Sequence, residues 1–467
     1  MTNTAIEQIQ TAMQAPLASA SWLTSGYLLG ESMMLPLSGL VVARLGLQRY
    51  GQYFCLLFLA ASILCAQATG MPTLIAWRVL QGIASGALIP FPYMLIIERL
   101  PRDDHAKAFT LFGATMALAP TLGPSAGGAL SALLGWQALF YVNLPVGLVA
   151  LLMMRTGLRN HVHAGGRQSP VDWVSLVSIA IGLGCVQFVL EEGNARLWFE
   201  STLIVALCGI GLLMLAAFLV NEMCSTHPLF DLTLFGNRRF TFACASNALA
   251  CAATFGSYFL IPYFLVTVHD YSPVQISRVI MITGATQLVV LWLTPALLRR
   301  LDLYLVIGAG AFSFAAGTFT WSELTSSYVT YGVVAAQISR GIGLSFMLAP
   351  LCIAATTTVE PSQAASASIL FNISRSLGGA FGVALFVALA QSRRDLHESG
   401  LSSALGTLKP ADALMSGAFH RASYVRGIGD TFTLMSCAIL AVGVLFCTAW
   451  LMDRRHAAGH AVNAPEH

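Results

Sequence analysis

Apolar residues in this chain come in long, nearly unbroken stretches, with neither the strict alternation of a half-buried strand nor a single amphipathic stripe. Crossing a hydrocarbon layer of about 30 Å takes about 20 residues of helix. Thirteen stretches approach or exceed that length, over 21–45, 50–69, 72–98, 106–131, 138–154, 173–190, 201–221, 238–268, 274–298, 303–321, 328–352, 363–390 and 429–452. A spanning β-barrel would instead alternate apolar and polar residues over segments of about ten. In lipid a helix satisfies its backbone polar groups within its own segment. The pattern therefore predicts an all-α membrane protein of about 13 full transmembrane helices.

The polar connections set the orientation, because Lys and Arg concentrate in cytoplasmic loops. If the first full span runs inward, fourteen of the 24 basic residues fall on one side, among them Arg44, Arg49, Arg99, Arg102, Lys107, Arg155 and Arg455. The short loops of the opposite side hold Arg196 alone. Five more lie in the long connection 391–428, and long loops translocate whatever their charge. This asymmetry places the C-terminus in the cytoplasm. Met1 to Ser19 has neither a basic leader nor an apolar core, so it is not a signal peptide, and it is too polar to span. Thirteen spans with the C-terminus inside leave the N-terminus outside. The stub is therefore expected to be the tail of a first helix whose apolar half lies upstream of Met1.

Composition narrows the function. The chain of 467 residues is 56% apolar and 10% charged, against about 25% charged in soluble domains, so its solvent is lipid. Nine of the ten cysteines lie in apolar runs and none forms a CxxC or Cys/His cluster. They read as small buried hydrophobes, with no metal site expected. There is no HExxH, no GxSxG and no phosphate-binding glycine loop with Lys, so neither catalysis nor a cofactor nor ATP-driven work has candidate residues. The net charge of +3 gives no reason to expect a nucleic-acid partner.

Several motifs resemble the major facilitator superfamily, specifically its 14-helix drug:proton antiporter branch. Gly39-x-x-x-Ala43-Arg44-x-Gly46-x-x-Arg49 resembles the cytoplasmic loop motif, in which the family often has Asp where this chain has Ala43. Arg78-x-x-Gln81-Gly82 resembles a motif whose arginine serves proton transfer. Pro120-x-x-Gly123-Pro124-x-x-Gly127-Gly128 resembles the antiporter motif of exporters, and Trp136, Phe140, Asn143, Pro145 and Gly147 fit the helix start that follows it. Pro228 to Phe235, Arg340-Gly341-x-Gly343 and Asn372-x-x-Arg375-x-x-Gly378-Gly379 extend the resemblance over nearly the whole chain. It implies two pseudo-symmetric six-helix bundles plus two extra central helices. The expected division is 1–155 for the N-terminal bundle with its first helix incomplete, 156–237 for two linking helices, and 238–467 for the C-terminal bundle. The family pattern also places an Asp in the helix upstream of Met1.

Charge inside a span is costly and marks function by default. Glu31, ten residues into the first full span, is the candidate proton carrier. Arg78 is its expected partner, with Gln81 beside it. Arg340, Arg375, Asn372 and Tyr27 are candidates for lining a central cavity or for tying helices together. Glu98, Asp172, Glu222 and Asp231 sit at the cytoplasmic rim and read as structural. Glycines four apart (82 and 86, 123 and 127, 378 and 382) put small residues on one helix face, which permits close helix contact in lipid. The function implied is proton-coupled export of hydrophobic or amphipathic compounds across a bacterial inner membrane, of the multidrug efflux type. A symporter or uniporter of a small metabolite is the alternative. The resemblance also implies a periplasmic adaptor and an outer-membrane channel as partners.

Overall fold

The computed structural model describes residues 6–14, 22–157, 172–225, 229–323, 330–356, 359–360, 363–404 and 413–462. Among these, regular structure is helical. In chain order the helices are α1 (Ile6–Met13), α2 (Trp22–Met34), α3 (Ser38–Leu45), α4 (Leu47–Ala66), α5 (Met71–Leu88), α6 (Phe91–Arg99), α7 (Arg102–Leu134), α8 (Ala138–Tyr141) and α9 (Asn143–Gly157). They continue with α10 (Trp173–Glu192), α11 (Thr202–Cys224), α12 (Arg238–His269), α13 (Pro273–Leu298), α14 (Leu303–Ser322), α15 (Thr330–Thr356), α16 (Ala364–Ala404) and α17 (Ala413–Val462).

Each of the thirteen apolar stretches falls on one helix or a consecutive pair, but fewer than thirteen pass as spans. Among the described residues eleven are long and apolar enough, or twelve when the bent pair α2–α3 counts as one. The stretch 106–131 accounts for the difference. Its helix α7 has 33 residues, yet the Gly, Pro, Ser and Thr of the antiporter-like motif dilute its apolar character. The expected loop 391–428 also differs. α16 runs on to Ala404 and α17 begins at Ala413, so most of that connection is helical. Polarity marks where the chain leaves lipid; it does not end a helix that polar residues can continue, as the Arg394–Glu398 pair at 3.6 Å does one turn apart.

Breaks within spans have local causes. α2 and α3 meet at 57° around Pro36, which has no N–H to give the carbonyl of Ser32. The chain closes instead by short turns, Leu37 N–H to Met34 O at 3.0 Å and Ser38 N–H to Leu35 O at 3.3 Å. α3 then ends at Gly46, whose φ of +74° lies where a side chain would be strained.

The chain forms two compact units. One comprises residues 1–105, 122–244 and 355–380, the other 106–121, 245–354 and 381–467. In the first, Met34, Leu35, Tyr50, Phe91, Met94, Phe218 and Ile369 belong to one buried cluster. Ile9, Leu23, Leu74, Trp136 and Phe140 belong to another, so the segment ahead of the first span docks through the fully buried Ile9. α10 is packed, whereas α11 exposes Leu212, Leu213, Leu219, Val220 and Met223. That surface belongs to lipid.

The rim acids are structural in their contacts. Asp172 caps α10, accepting from Val174 N–H at 3.1 Å and Ser175 N–H at 3.2 Å, and it also takes a hydrogen bond from Asn221 on α11. The Ser175 backbone bond leads in holding its carboxyl below the usual range. Glu222 accepts from Phe230 N–H at 2.6 Å and from Ser175 Oγ at 2.9 Å. Asp231 is held by Thr233 and Gln363. Glu98 pairs with Arg99 at 3.4 Å.

In the second unit α15 is laced to its neighbours. Gln337 Nε2 donates to Val279 O at 3.1 Å, Thr283 Oγ1 to Gln337 O at 3.3 Å, and Ser345 Oγ to Gln287 O at 2.9 Å, all between α13 and α15. Ser313 on α14 and Ser339 on α15 each donate to the other's carbonyl at 2.8 Å. Lipid tails are as apolar as Leu, so such bonds and small-residue contacts carry helix association here.

Candidate functional site

The site grows from a glycine seam between α2 and α5. A Cβ at Gly82 would stand 2.0 Å from the Tyr27 carbonyl oxygen, and one at Gly86 would stand 2.3 Å from that of Glu31. On the facing helix, a Cβ at Gly30 would stand 2.4 Å from the Val79 carbonyl. Backbone meets backbone along this seam. The side chains of Tyr27 and Glu31 are thereby set against those of Arg78, Gln81 and Ser85.

Arg78 is 8% exposed and Gln81 1%. Arg78 Nε donates to Leu23 O at 3.0 Å and Nη1 to Gln81 Oε1 at 2.6 Å. Gln81 Nε2 passes the bond on to Ser62 Oγ at 2.7 Å, which Asn143 Nδ2 also reaches at 3.3 Å. The Arg78 guanidinium lies 4.3 Å from the centroid of the Tyr27 ring, a favourable cation–π distance. Tyr27 OH donates to Ser85 Oγ at 2.6 Å, and Ser85 Oγ donates to Glu31 Oε2 at 3.4 Å.

The expected Glu31–Arg78 ion pair is therefore not formed. Arg78 Nε and Nη1 are engaged by Leu23 and Gln81 and its flat face by Tyr27, and Tyr27 and Ser85 stand between it and Glu31. Arg375 lies on the part of α16 that belongs to this unit and is half-buried. Glu31 itself is half-buried. The arrangement can hold a proton on a carboxyl, present a hydroxyl chain to it, and keep the Arg78 cation at the far end of that chain.

The remaining sequence candidates are placed as follows. Gly39 packs on Ile369, whose Cδ1 would be 2.8 Å from an added Cβ. Arg44 is exposed in the last turn of α3, where a cation suits the helix C-terminus. Pro120 and Pro124 lie within α7, and their side chains are outside the described residues. Gly123 and Gly127 are buried and Gly128 half-buried. Asn372 is fully buried, with Nδ2 on Ser368 O at 2.9 Å. Arg340 belongs to the other unit, 1% exposed. Phe371, beside Asn372 on α16, is buried, its ring centroid 5.9 Å from that of Tyr93.

Sequence reasoning missed Ser62, Ser85 and Glu192. Serines in apolar runs are common, and nothing in the sequence separates these two from the rest. Glu192 Oε1 accepts from Ser25 Oγ at 2.7 Å and Oε2 lies 3.3 Å from Arg196 Nε. It falls just past the apolar run ending at 190, where a boundary two residues longer takes in two further acids, Glu191 and Glu192.

The family profile described as Major Facilitator Superfamily matches residues 1–383. "Multidrug export protein EmrB" of Haemophilus influenzae is 28% identical over 92% of this chain and 84% of its own length. "Fatty acid resistance protein FarB" of Neisseria gonorrhoeae is 28% identical over 85% of this chain and 78% of its own. Among solved structures, the proton:xylose symporter XylE aligns with a TM-score of 0.59 at 14% identity, over 96% of this chain and 90% of that one, and it attests the fold. With that profile spanning most of the helices described above, the chain is a multi-pass membrane transporter that belongs to the major facilitator superfamily.

Proposed function

We propose that this protein is a proton-coupled antiporter that exports hydrophobic or amphipathic compounds across a bacterial inner membrane. The observation that carries the reading is the half-buried Glu31, joined through Ser85 and Tyr27 to Arg78 across a backbone-to-backbone seam. A carboxyl inside a span, with a hydroxyl chain and a cation at its far end, is suited to load a proton on one side and release it on the other. Export, and a broad substrate range, are supported by the relatives named for multidrug export and fatty acid resistance. In this reading 1–155 and 238–467 rock against each other around the substrate, and 156–237 links them. A periplasmic adaptor and an outer-membrane channel complete the route. The test is efflux of a panel of dyes, organic acids and drugs from expressing cells, with and without an uncoupler. Efflux that the uncoupler abolishes is expected; efflux that survives it removes proton coupling.

Topology has its own test. With the C-terminus cytoplasmic, alkaline phosphatase fused after His467 should be inactive. The same reporter inserted into the 391–428 connection should be active. The reverse pattern would invert the proposed orientation.

A further inference from the structure

Arg340 is a buried cation. It is 1% exposed. Nη2 donates to Ser257 Oγ on α12, and the guanidinium lies 5.1 Å from the centroid of the Phe314 ring on α14. Nε and Nη1 are buried and meet no acceptor. No carboxylate lies within ion-pair range of it among the described residues.

Its place is fixed on two sides. The Gln337, Thr283 and Ser345 bonds hold α15 to α13, and the reciprocal Ser313–Ser339 bonds hold it to α14. Gly341 and Gly343 bring its backbone against both neighbours, with added Cβ atoms 2.6 Å from Thr283 O and 2.4 Å from Phe314 N. A rigid frame thus presents a desolvated cation with two donors unspent. An arginine kept only to tie helices would spend those donors on carbonyls. An unpaired charge in a low-dielectric interior is costly to maintain, and an anion brought by a ligand would offset that cost. The planar fork suits a carboxylate or sulfonate, which accepts two parallel hydrogen bonds. Tyr258, which follows Ser257 on α12, is half-buried.

We propose that Arg340, with Ser257, forms an anion-binding subsite in the second unit, and that the export proposed above extends to amphipathic compounds carrying a carboxylate or sulfonate. The inference rests on the export reading for its transport consequence but not for binding.

The test uses the full chain in lipid nanodiscs and three probes sharing one ring system: naphthalene-1-sulfonate, neutral naphthalene-1-sulfonamide and naphthyl-trimethylammonium. The sulfonate should bind on the order of tenfold or more tighter than either other probe, the scale of a hydrogen-bonded charge. Arg340→Gln should erase that preference and leave the sulfonamide unchanged, which a merely structural arginine would not do. Absence of the preference in the parent protein, or its persistence in Arg340→Gln, overturns the proposal. Should that variant fail to fold, photolabelling the parent with an azidonaphthalene sulfonate decides. Label on α12 or α15 near Ser257 and Arg340 supports the site, and label confined elsewhere rejects it. Uncoupler-sensitive efflux of a neutral dye reports separately on the export reading, so either can fail alone.

Discussion

The Glu31→Gln variant is expected to fold, insert and bind substrate, yet lose uphill transport by on the order of tenfold or more. Gln keeps the volume of Glu, and its amide oxygen can still accept from Ser85 Oγ, which lies 3.4 Å from the carboxylate. What it cannot do is exchange a proton. A gradient does work on a transporter only through a group whose protonation differs between states, and the coupling free energy vanishes when that group no longer titrates. Downhill flux of substrate should therefore survive while proton-driven accumulation in inverted vesicles does not. The measurement is substrate-induced quenching of a pH-sensitive dye in proteoliposomes, alongside binding. Normal proton-coupled flux at normal protein levels would remove Glu31 as the carrier. Glu192, hydrogen-bonded to Ser25 on the same helix, would become the next acid to examine.

The second large effect is steric. Gly82→Val should prevent assembly of the first unit, because its Cβ would stand 2.0 Å from a backbone oxygen of α2. Flexible side chains can yield to an intruding methyl; a helix backbone cannot without moving as a whole. The penalty should reach or exceed the about 3 kcal/mol at the upper end of ordinary overpacking, and the protein should be lost from the membrane fraction. Gly128→Ala is the contrast. An added Cβ there meets nothing within 4 Å among the described residues, and Ala favours the helix by about 1 kcal/mol over Gly. That variant should be recovered at parental levels by detergent size-exclusion chromatography. Equal loss of both variants would show that the seam geometry does not distinguish them.

The helices themselves were legible because hydrophobic length is a one-dimensional property, and every apolar run found its helix. Glu31, Arg78 and Gln81 were legible for a related reason, since polar groups in such runs are rare enough to stand out. Their partners were not. Whether Arg78 meets Glu31 or Tyr27 depends on which way a long side chain leaves α5. That direction is set by where Gly82 and Gly86 let α2 come to rest, which spacing along one helix does not encode. The helical extension of α16 to Ala404 is hidden in the sequence because charge density marks the end of lipid and not the end of helix. The Gly, Pro, Ser and Thr of α7 lower its apolar character below that of the other spans, although its 33 residues are ample to cross.

The bend at Pro36 bears on how cheaply the helix carrying Glu31 can change shape. Between α2 and α3 the ordinary ladder is replaced by short closures at Leu37 and Ser38, and three-residue rings have poorer hydrogen-bond geometry than those of an α-helix. A segment already without its full ladder has less to lose when it flexes, so local opening there costs less than in an intact helix. Glu31 sits one turn before that compliant joint, and the exposed Arg44 rides on the short arm beyond it. Stiffness in this span is therefore graded, firm where the glycines lock α2 to α5 and soft where the chain turns away. A strain arising at the carboxyl would be relieved at the joint before it could part the seam.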